Sequence, residues 1–244
     1  MSENTVTPYQ GSTDGKKQQV TQMFNTISET YDGLNRVISW GSDVKWRKFV
    51  VQKVAEINPS TVLDVATGTG DLAIALTTIP EVKITGLDIS EGMLAVGREK
   101  ITKKQLSNRI NLVQGDSEQL PFADATFDAV TVGFGVRNFE NLEKGLSEIR
   151  RVLKPNGRLV VLETSVPEKF PFRQGYHLYT NYVMPLVGKL FSKDRSAYRY
   201  LSNSAIHFPY GKKFQEILNK VGYQQTKYYP KTLGGVATIY IANK

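Results

Sequence analysis

The stretch Leu63-Asp64-Val65-Ala66-Thr67-Gly68-Thr69-Gly70-Asp71, followed by Gly86-Leu87-Asp88, decides the fold. An apolar strand runs into a glycine-rich turn, a helix opens near Asp71, and a second strand ends on a carboxylate about twenty residues later. The first strand delivers the chain to the carboxyl edge of a sheet, where crevices form in open α/β folds. Gly68 and Gly70 let a ligand approach the backbone because no Cβ stands in the way. The free N–H groups of the following helix suit an anionic group. Asp88 is placed to accept hydrogen bonds from both hydroxyls of a ribose.

Outward from this turn, β-branched runs alternate with amphipathic stretches, the pattern of a wound parallel sheet. Strands are predicted over residues 61–66, 83–88, 110–114, 127–132 and 159–163. The clearest helix covers 141–154, where Leu142, Leu146, Ile149 and Leu153 recur at helical spacing and Asn156-Gly157 supplies a left-handed stop. A helix over 210–221 and two strands, 223–229 and 236–242, close the chain. The short loop from Pro230 to Gly235 favours an antiparallel hairpin at the sheet edge. The expected fold is therefore α/β, with five parallel strands and an antiparallel C-terminal hairpin. Before the sheet, Phe24, Ile27, Tyr31, Leu34 and Ile38 form one apolar stripe on a helix that has to cover the sheet or its cleft. The expected organisation is a flexible tail over 1–19 and one domain over 20–244. Within that domain, 20–58 form a helical cap, and 166–210 form an aromatic-rich, proline-interrupted insert.

Composition narrows the chemistry. The 244 residues contain no cysteine and only two histidines, which excludes thiolate chemistry and argues against a metal site. The net charge of +8 invites a nucleic-acid or anionic-membrane reading, but the basic residues are scattered in doublets such as Lys16-Lys17, Lys103-Lys104 and Lys212-Lys213. No compact basic patch with stacking aromatics stands out, so no nucleic-acid partner is expected. No apolar run approaches the roughly 20 residues needed to cross a bilayer, and residues 1–15 lack a hydrophobic signal core, so the expected location is cytoplasmic.

The turn admits two ligands, and its remaining residues choose between them. A pyrophosphate binder wants Gly-x-Gly-x-x-Gly, whereas Gly68-Thr69-Gly70-Asp71-Leu72-Ala73 lacks the third glycine. Asp64 and Asp71 put carboxylates beside the turn, which repel a pyrophosphate and suit an ammonium and a sulfonium. S-adenosylmethionine carries both, with a carboxylate for the backbone N–H groups. Asp116-Ser117 follows the strand 110–114 at the same edge, where a carboxylate can accept from the adenine amino group and neighbouring N–H groups can meet ring nitrogens. A helix N-cap is the competing reading of Asp116. Met93 and Leu94 suit either the adenine face or the core.

The residues also resemble a family. Phe24…Tyr31-Asp32…Asn35…Ser39-Trp40-Gly41…Trp46-Arg47 is similar to the N-terminal signature of the ubiquinone/menaquinone biosynthesis C-methyltransferases. So are Leu63–Asp71, Asp88-Ile89-Ser90 with Met93-Leu94, Leu120-Pro121-Phe122 with Phe127-Asp128, Phe134-Gly135-Val136-Arg137-Asn138, and Arg151-Val152-Leu153-Lys154-Pro155. These cover most of the chain from about residue 20, and the Tyr-Asp…Trp-Arg and Phe-Gly-Val-Arg-Asn blocks are the specific ones. The resemblance implies a class I methyltransferase, Rossmann-like sheet. It also implies C-methylation of a polyprenylated quinol, either demethylmenaquinol or the benzoquinol precursor of ubiquinone. It carries cofactor positions onto Thr69, Asp88, Asp116 and Ser117. Gly133 stands where some members have a serine assigned to the cofactor, so no hydroxyl contact is expected there.

For such a reaction a quinol hydroxyl, with a pKa of about 10, has to be made anion-like. Arg137 is the expected electrostatic partner of the developing phenolate, with a salt bridge to a nearby carboxylate as the plainer role. Tyr31 and Asn35, four apart on a helix, and Asn138 are candidates to orient cofactor or substrate oxygens. His177 is a further candidate base. The insert interleaves aromatics with Lys169, Arg173, Lys189, Lys193 and Arg195, a pattern suited to an isoprenoid tail and a membrane surface. Packing over the sheet or a homodimer contact is the alternative. A small-molecule O-methyltransferase, an RNA methyltransferase and a non-catalytic cofactor-binding module would share the cofactor site.

Overall fold

A computed structural model describes residues 6–9, 11–178, 194–232 and 235–244. Its centre is a seven-stranded sheet in the order β3-β2-β1-β4-β5-β7-β6. The strands are β1 (Thr61–Val65), β2 (Lys83–Asp88), β3 (Ile110–Gln114), β4 (Phe127–Gly133), β5 (Leu153–Thr164), β6 (Gln224–Lys231) and β7 (Ala237–Asn243). β1 to β5 are parallel, and β7 pairs antiparallel with both β5 and β6. The expected topology is thus the observed one.

Side chains alternate between two buried faces, as a sheet covered on both sides requires. Along β5, Leu159 and Val161 enter one cluster while Val160 and Leu162 enter the other, and β7 alternates the same way through Ile239 to Ala242. Helices α6 (Leu142–Val152) and α9 (Lys212–Val221) bury Leu146, Ile149, Phe214 and Leu218 on the first face. Helices α3 (Ser42–Ala55), α4 (Asp71–Leu76) and α5 (Glu91–Lys103) bury Val50, Val54, Leu72 and Leu94 on the second. Order reverses between β1 and β4, so the crevice of this fold opens at their carboxyl ends.

Two local expectations differ from the structure. The helix 141–154 starts on an Asn141 cap, whose side chain accepts from the Lys144 N–H at 3.0 Å, but it ends at Val152. β4 captures the chain at once: Phe127 pairs with Leu153, then Ala129 with Arg158, and the left-handed Asn156 (φ 63°) serves the intervening bulge rather than a helix stop. The single N-terminal stripe is two helices, α1 (Lys16–Ile27) and α2 (Tyr31–Ile38). The Ser28 and Thr30 hydroxyls bond the carbonyls of Asn25 (3.1 Å) and Ile27 (3.2 Å), a side-chain competition that ends α1. Phe24 and Tyr31 remain in edge contact across the break, their centroids 5.8 Å apart. α1 also starts before the expected boundary at residue 20. Of the insert, α7 (Phe172–Leu178) and α8 (Arg195–His207) are described. Lys189, Lys193 and the side chains of His177 and Arg195 lie outside the described residues.

Candidate active site

At the end of β1 the chain turns through left-handed Ala66 (φ 53°), Gly68 (φ 56°) and Gly70 (φ 79°). The Gly68 N–H donates to Asp88 Oδ2 at 2.7 Å, and the Ser90 N–H to Asp88 Oδ1 at 2.9 Å. Each carboxylate oxygen accepts a second bond readily, so Asp88 keeps capacity for ribose hydroxyls. Asp64, directly behind the turn, accepts from the hydroxyls of Thr67 and Thr131, both at 2.6 Å. The turn can sit this close to β2 only because Gly86 is glycine; a Cβ there would lie 2.9 Å from Thr67 Oγ1 and 2.5 Å from Leu112 Cδ2. Burial pushes the Asp64 carboxyl up to about 6, the charge of Asp88 adding to it, and burial raises Asp88 as well. Two buried carboxylates met only by hydroxyls and amides fit a ligand whose reactive end is cationic, as the amino-acid end of S-adenosylmethionine is.

The crevice is lined by Leu87, Ile89, Gly115, Asp116 and Ser117 at the strand ends, and by Lys17, Val20 and Phe24 of α1. With α1 in this position the crevice holds about 60 Å³, well under the ~300 Å³ at the low end of ligand pockets. Lys17 Nζ lies 2.7 Å from Asp116 Oδ2. Burial lifts the Asp116 carboxyl, but the Lys17 ammonium and the Glu118 N–H (2.9 Å) outweigh it and hold the group below its ordinary value. Lys16 anchors the same helix, its Nζ donating to the carbonyls of Phe139 (2.7 Å) and Arg137 (3.2 Å).

Beyond the crevice, the segment after β4 carries Arg137 and Asn138 on a 3-10 turn, Val136–Asn138. Gly135 lets this turn press on the end of β1, since a Cβ would meet Ala66 Cβ at 2.5 Å. Arg137 Nη1 donates to Glu163 Oε1 and to the Phe134 carbonyl at 2.8 Å. Burial works against the guanidinium charge, and Glu163 more than restores it, so its pKa stands above the ordinary value. Arg137 Nε is the one buried side-chain polar atom without a hydrogen-bond partner among the described residues. Tyr200 of α8 donates its hydroxyl to Asn138 Oδ1 at 3.1 Å. Tyr31 interacts with the charges of Arg137, Asp88 and Glu163 and is hydrogen-bonded to Asn35 on its own helix; burial raises its pKa.

Of the expected site residues, the structure brings Asp88, Asp116 and Ser117 together on one crevice wall, with the Gly68 amide against Asp88. Arg137, Asn138 and Tyr31 form a second group beside it. Asp64 is 1% exposed and lies behind the wall. Thr69 faces away: its hydroxyl donates to Asp32 Oδ1 and accepts from Lys100 Nζ at 3.1 Å. Asp71, expected to offer a carboxylate to the ligand, is answered by the protein's own cations, Lys100 and Arg47. Met93 and Leu94 are core residues, 2% and 0% exposed. Glu163 and Tyr200 went unanticipated. An acidic residue closing the apolar run Leu159–Leu162 was a readable signal for Glu163, whereas Tyr200 had none.

Comparison with known proteins places the chain in a family. The ubiE/COQ5 methyltransferase family model matches residues 12–244. A demethylmenaquinone methyltransferase of Bacteroides fragilis is 46% identical over 241 residues, covering 98% of this chain and 97% of the relative. A ubiquinone/menaquinone biosynthesis C-methyltransferase UbiE of Geotalea daltonii is 44% identical over 94% of this chain and 97% of its own length. Among solved structures, a SAM-dependent methyltransferase of Thermotoga maritima, a possible histamine N-methyltransferase, superposes with a TM-score of 0.66 at 16% identity, covering 92% of this chain and 99% of that one. That likeness concerns the fold.

Proposed function

The chain belongs to the ubiE/COQ5 methyltransferase family and is an S-adenosylmethionine-dependent C-methyltransferase of quinone biosynthesis; we propose that its acceptor is demethylmenaquinol, methylated on the ring to menaquinol. The observation that carries the acceptor chemistry is Arg137: a buried, charged guanidinium at the carboxyl edge whose Nε–H has no partner among the described residues. Such a donor suits an oxygen that becomes anionic as its ortho carbon attacks.

In this reading Asp88 accepts from the ribose hydroxyls, and Asp116 from the adenine amino group with the Ser117 backbone alongside. Asp64 and Asp88 supply negative potential to the cationic end, Gly68 allows its close approach, and Thr69 contributes at the turn once released from Asp32. Bound S-adenosylmethionine supplies a methyl group that leaves sulfur without its bonding electrons. Arg137 stabilises the quinol oxygen as its proton passes to water, while Asn138 and Tyr31 orient the ring. The electron pair of the ortho carbon forms the new C–C bond. The hydrogen of that carbon then leaves and the oxygen regains a proton, so one proton is released overall. Burial keeps the Tyr31 hydroxyl protonated, a donor and not a base.

The polyprenyl tail implies contact with the cytoplasmic face of a membrane. Exposed Trp40, Phe170, Phe172 and Leu178 support that contact, and no helix among the described residues is long and apolar enough to cross a bilayer. Flotation on anionic liposomes tests it: a Lys189/Lys193/Arg195 triple-alanine variant is expected to bind less, and equal binding excludes the basic fringe. The acceptor is tested with methyl-labelled cofactor and demethylmenaquinol, benzoquinol or RNA. Label is expected in a product that still oxidises to a quinone, as a ring-methylated species does and an O-methyl ether does not. Label confined to benzoquinol, ether or RNA overturns the assignment.

A further inference from the structure

Glu163 and Tyr200 lie against the acceptor centre, and the reaction just described does not use them. Glu163, the penultimate residue of β5, is 0% exposed and accepts from Arg137 Nη1, the Thr164 N–H (2.7 Å), the Thr164 hydroxyl (3.1 Å) and the Arg137 N–H (3.4 Å). One edge of the guanidinium is thereby pinned to the sheet through Glu163 and the Phe134 carbonyl, both met by Nη1, and Nε is its buried donor without a partner among the described residues. A buried arginine whose charge is answered on one side and whose Nε meets no acceptor among the described residues is prepared for one more acceptor.

Tyr200 completes the neighbouring group. It is 1% exposed, and its ring belongs to the cluster formed with Val20, Met23 and Ile27 of α1 and bordered by Tyr31 of α2. Its hydroxyl takes Asn138 Oδ1, while Asn138 Nδ2 reaches the Phe134 carbonyl only at 3.4 Å. The amide is therefore oriented with its oxygen towards α8 and its N–H groups weakly held. Burial, reinforced by Glu163 and opposed by Arg137, pushes the Tyr200 hydroxyl up to about 12, so it is a fixed donor at neutral pH.

We propose that Glu163 and Tyr200 are positioning residues: Glu163 aims and partly neutralises Arg137 so that its Nε–H meets the acceptor oxygen, and Tyr200 aims the Asn138 amide at the same ring. The inference rests on the quinol reading and adds a consequence of its own. Because Glu163 opposes the field of Arg137, it sets how far that field lowers the pKa of the bound quinol.

Glu163→Gln retains an acceptor for Nη1 and removes the opposing charge. The acid limb of kcat against pH is then expected to move down by about one unit, because the guanidinium acts on the quinol unopposed. Tyr200→Phe is expected to lower kcat about five-fold, the scale of one neutral hydrogen bond, with KM and the cofactor Kd by calorimetry unchanged. A Glu163→Gln protein that only melts earlier, with its pH limb in place, overturns the role of Glu163. Unchanged kcat in Tyr200→Phe overturns that of Tyr200, and because this variant deletes only a hydroxyl it stays informative if Glu163→Gln folds poorly. Wild-type turnover of demethylmenaquinol is the reference arm: its failure removes the acceptor assignment, while its success with indifferent variants removes this inference alone.

Discussion

The two halves of the centre handle charge in opposite ways. At the cofactor crevice, Asp64 and Asp88 are buried and met only by hydroxyls and backbone amides. At the acceptor centre, Arg137 and Glu163 form a pair whose side chains are 7% and 0% exposed. The first half stores unbalanced negative potential, which a cationic ligand relieves on binding. The second is balanced, and its proposed role rests on the Nε donor that has no partner among the described residues. In the proposed reading, affinity on one side comes from relieved repulsion, and on the other chemistry comes from geometry.

Arg137→Ala breaks the balanced side and carries the largest expected effect. Glu163 would be left buried without its cation, a loss of about 3–5 kcal/mol in stability. Turnover on the quinol is expected to fall by about 10²–10³-fold with the cofactor Kd unchanged. Thermal melts, titration calorimetry and steady-state rates measure the three quantities separately. A folded variant with undiminished turnover takes Arg137 out of the reaction.

Asp64→Asn sharpens the contrast, because on the unbalanced side stability and binding are expected to move in opposite directions. The carboxyl is ionised above about 4 in an unfolded chain but only above about 6 in the folded protein. Its favourable contribution is therefore complete below the unfolded value and lost as pH rises through 6. Asparagine can keep both threonine contacts without the charge. The variant should gain about 2 kcal/mol over wild type at pH 8, with the gap closing between pH 6 and 4, while its cofactor affinity falls. Stability and affinity lost together at pH 8 would mean that Asp64 is structural cement and not a source of potential.

The same division explains what could be read from the chain. The cofactor half is assembled at the ends of successive strands, so the glycine turn, Asp88 and Asp116 announce themselves by residue type and interval, and the sheet topology follows from the same alternation. Arg137 and Asn138 were legible through the likeness of their motif. Their supports were not, because Glu163 and Tyr200 reach them from another strand and from the insert, across contacts that leave no period in the sequence. Thr69 and Asp71 stand beside the same turn, but their present partners, Asp32, Lys100 and Arg47, come from elsewhere in the chain and were not legible from the turn itself.

Lys17 offers the smallest test, at the one point where the crevice does have a cation. Its ammonium occupies Oδ2 of Asp116, the carboxylate proposed to receive the adenine amino group, so α1 and the cofactor compete for one side chain. The pair is about one-third exposed on both sides, 33% and 29%, which limits its worth to roughly 0.2–1 kcal/mol. Lys17→Met deletes that competitor, while Lys16 still ties α1 to the carbonyls of Arg137 and Phe139. Cofactor binding is then expected to tighten two- to five-fold by calorimetry, and the advantage to shrink as salt is raised and the wild-type pair is screened. Weaker binding by the variant would show instead that Lys17 belongs to the cofactor-bound arrangement, and the crevice would then need its cation as much as the acceptor centre needs Arg137.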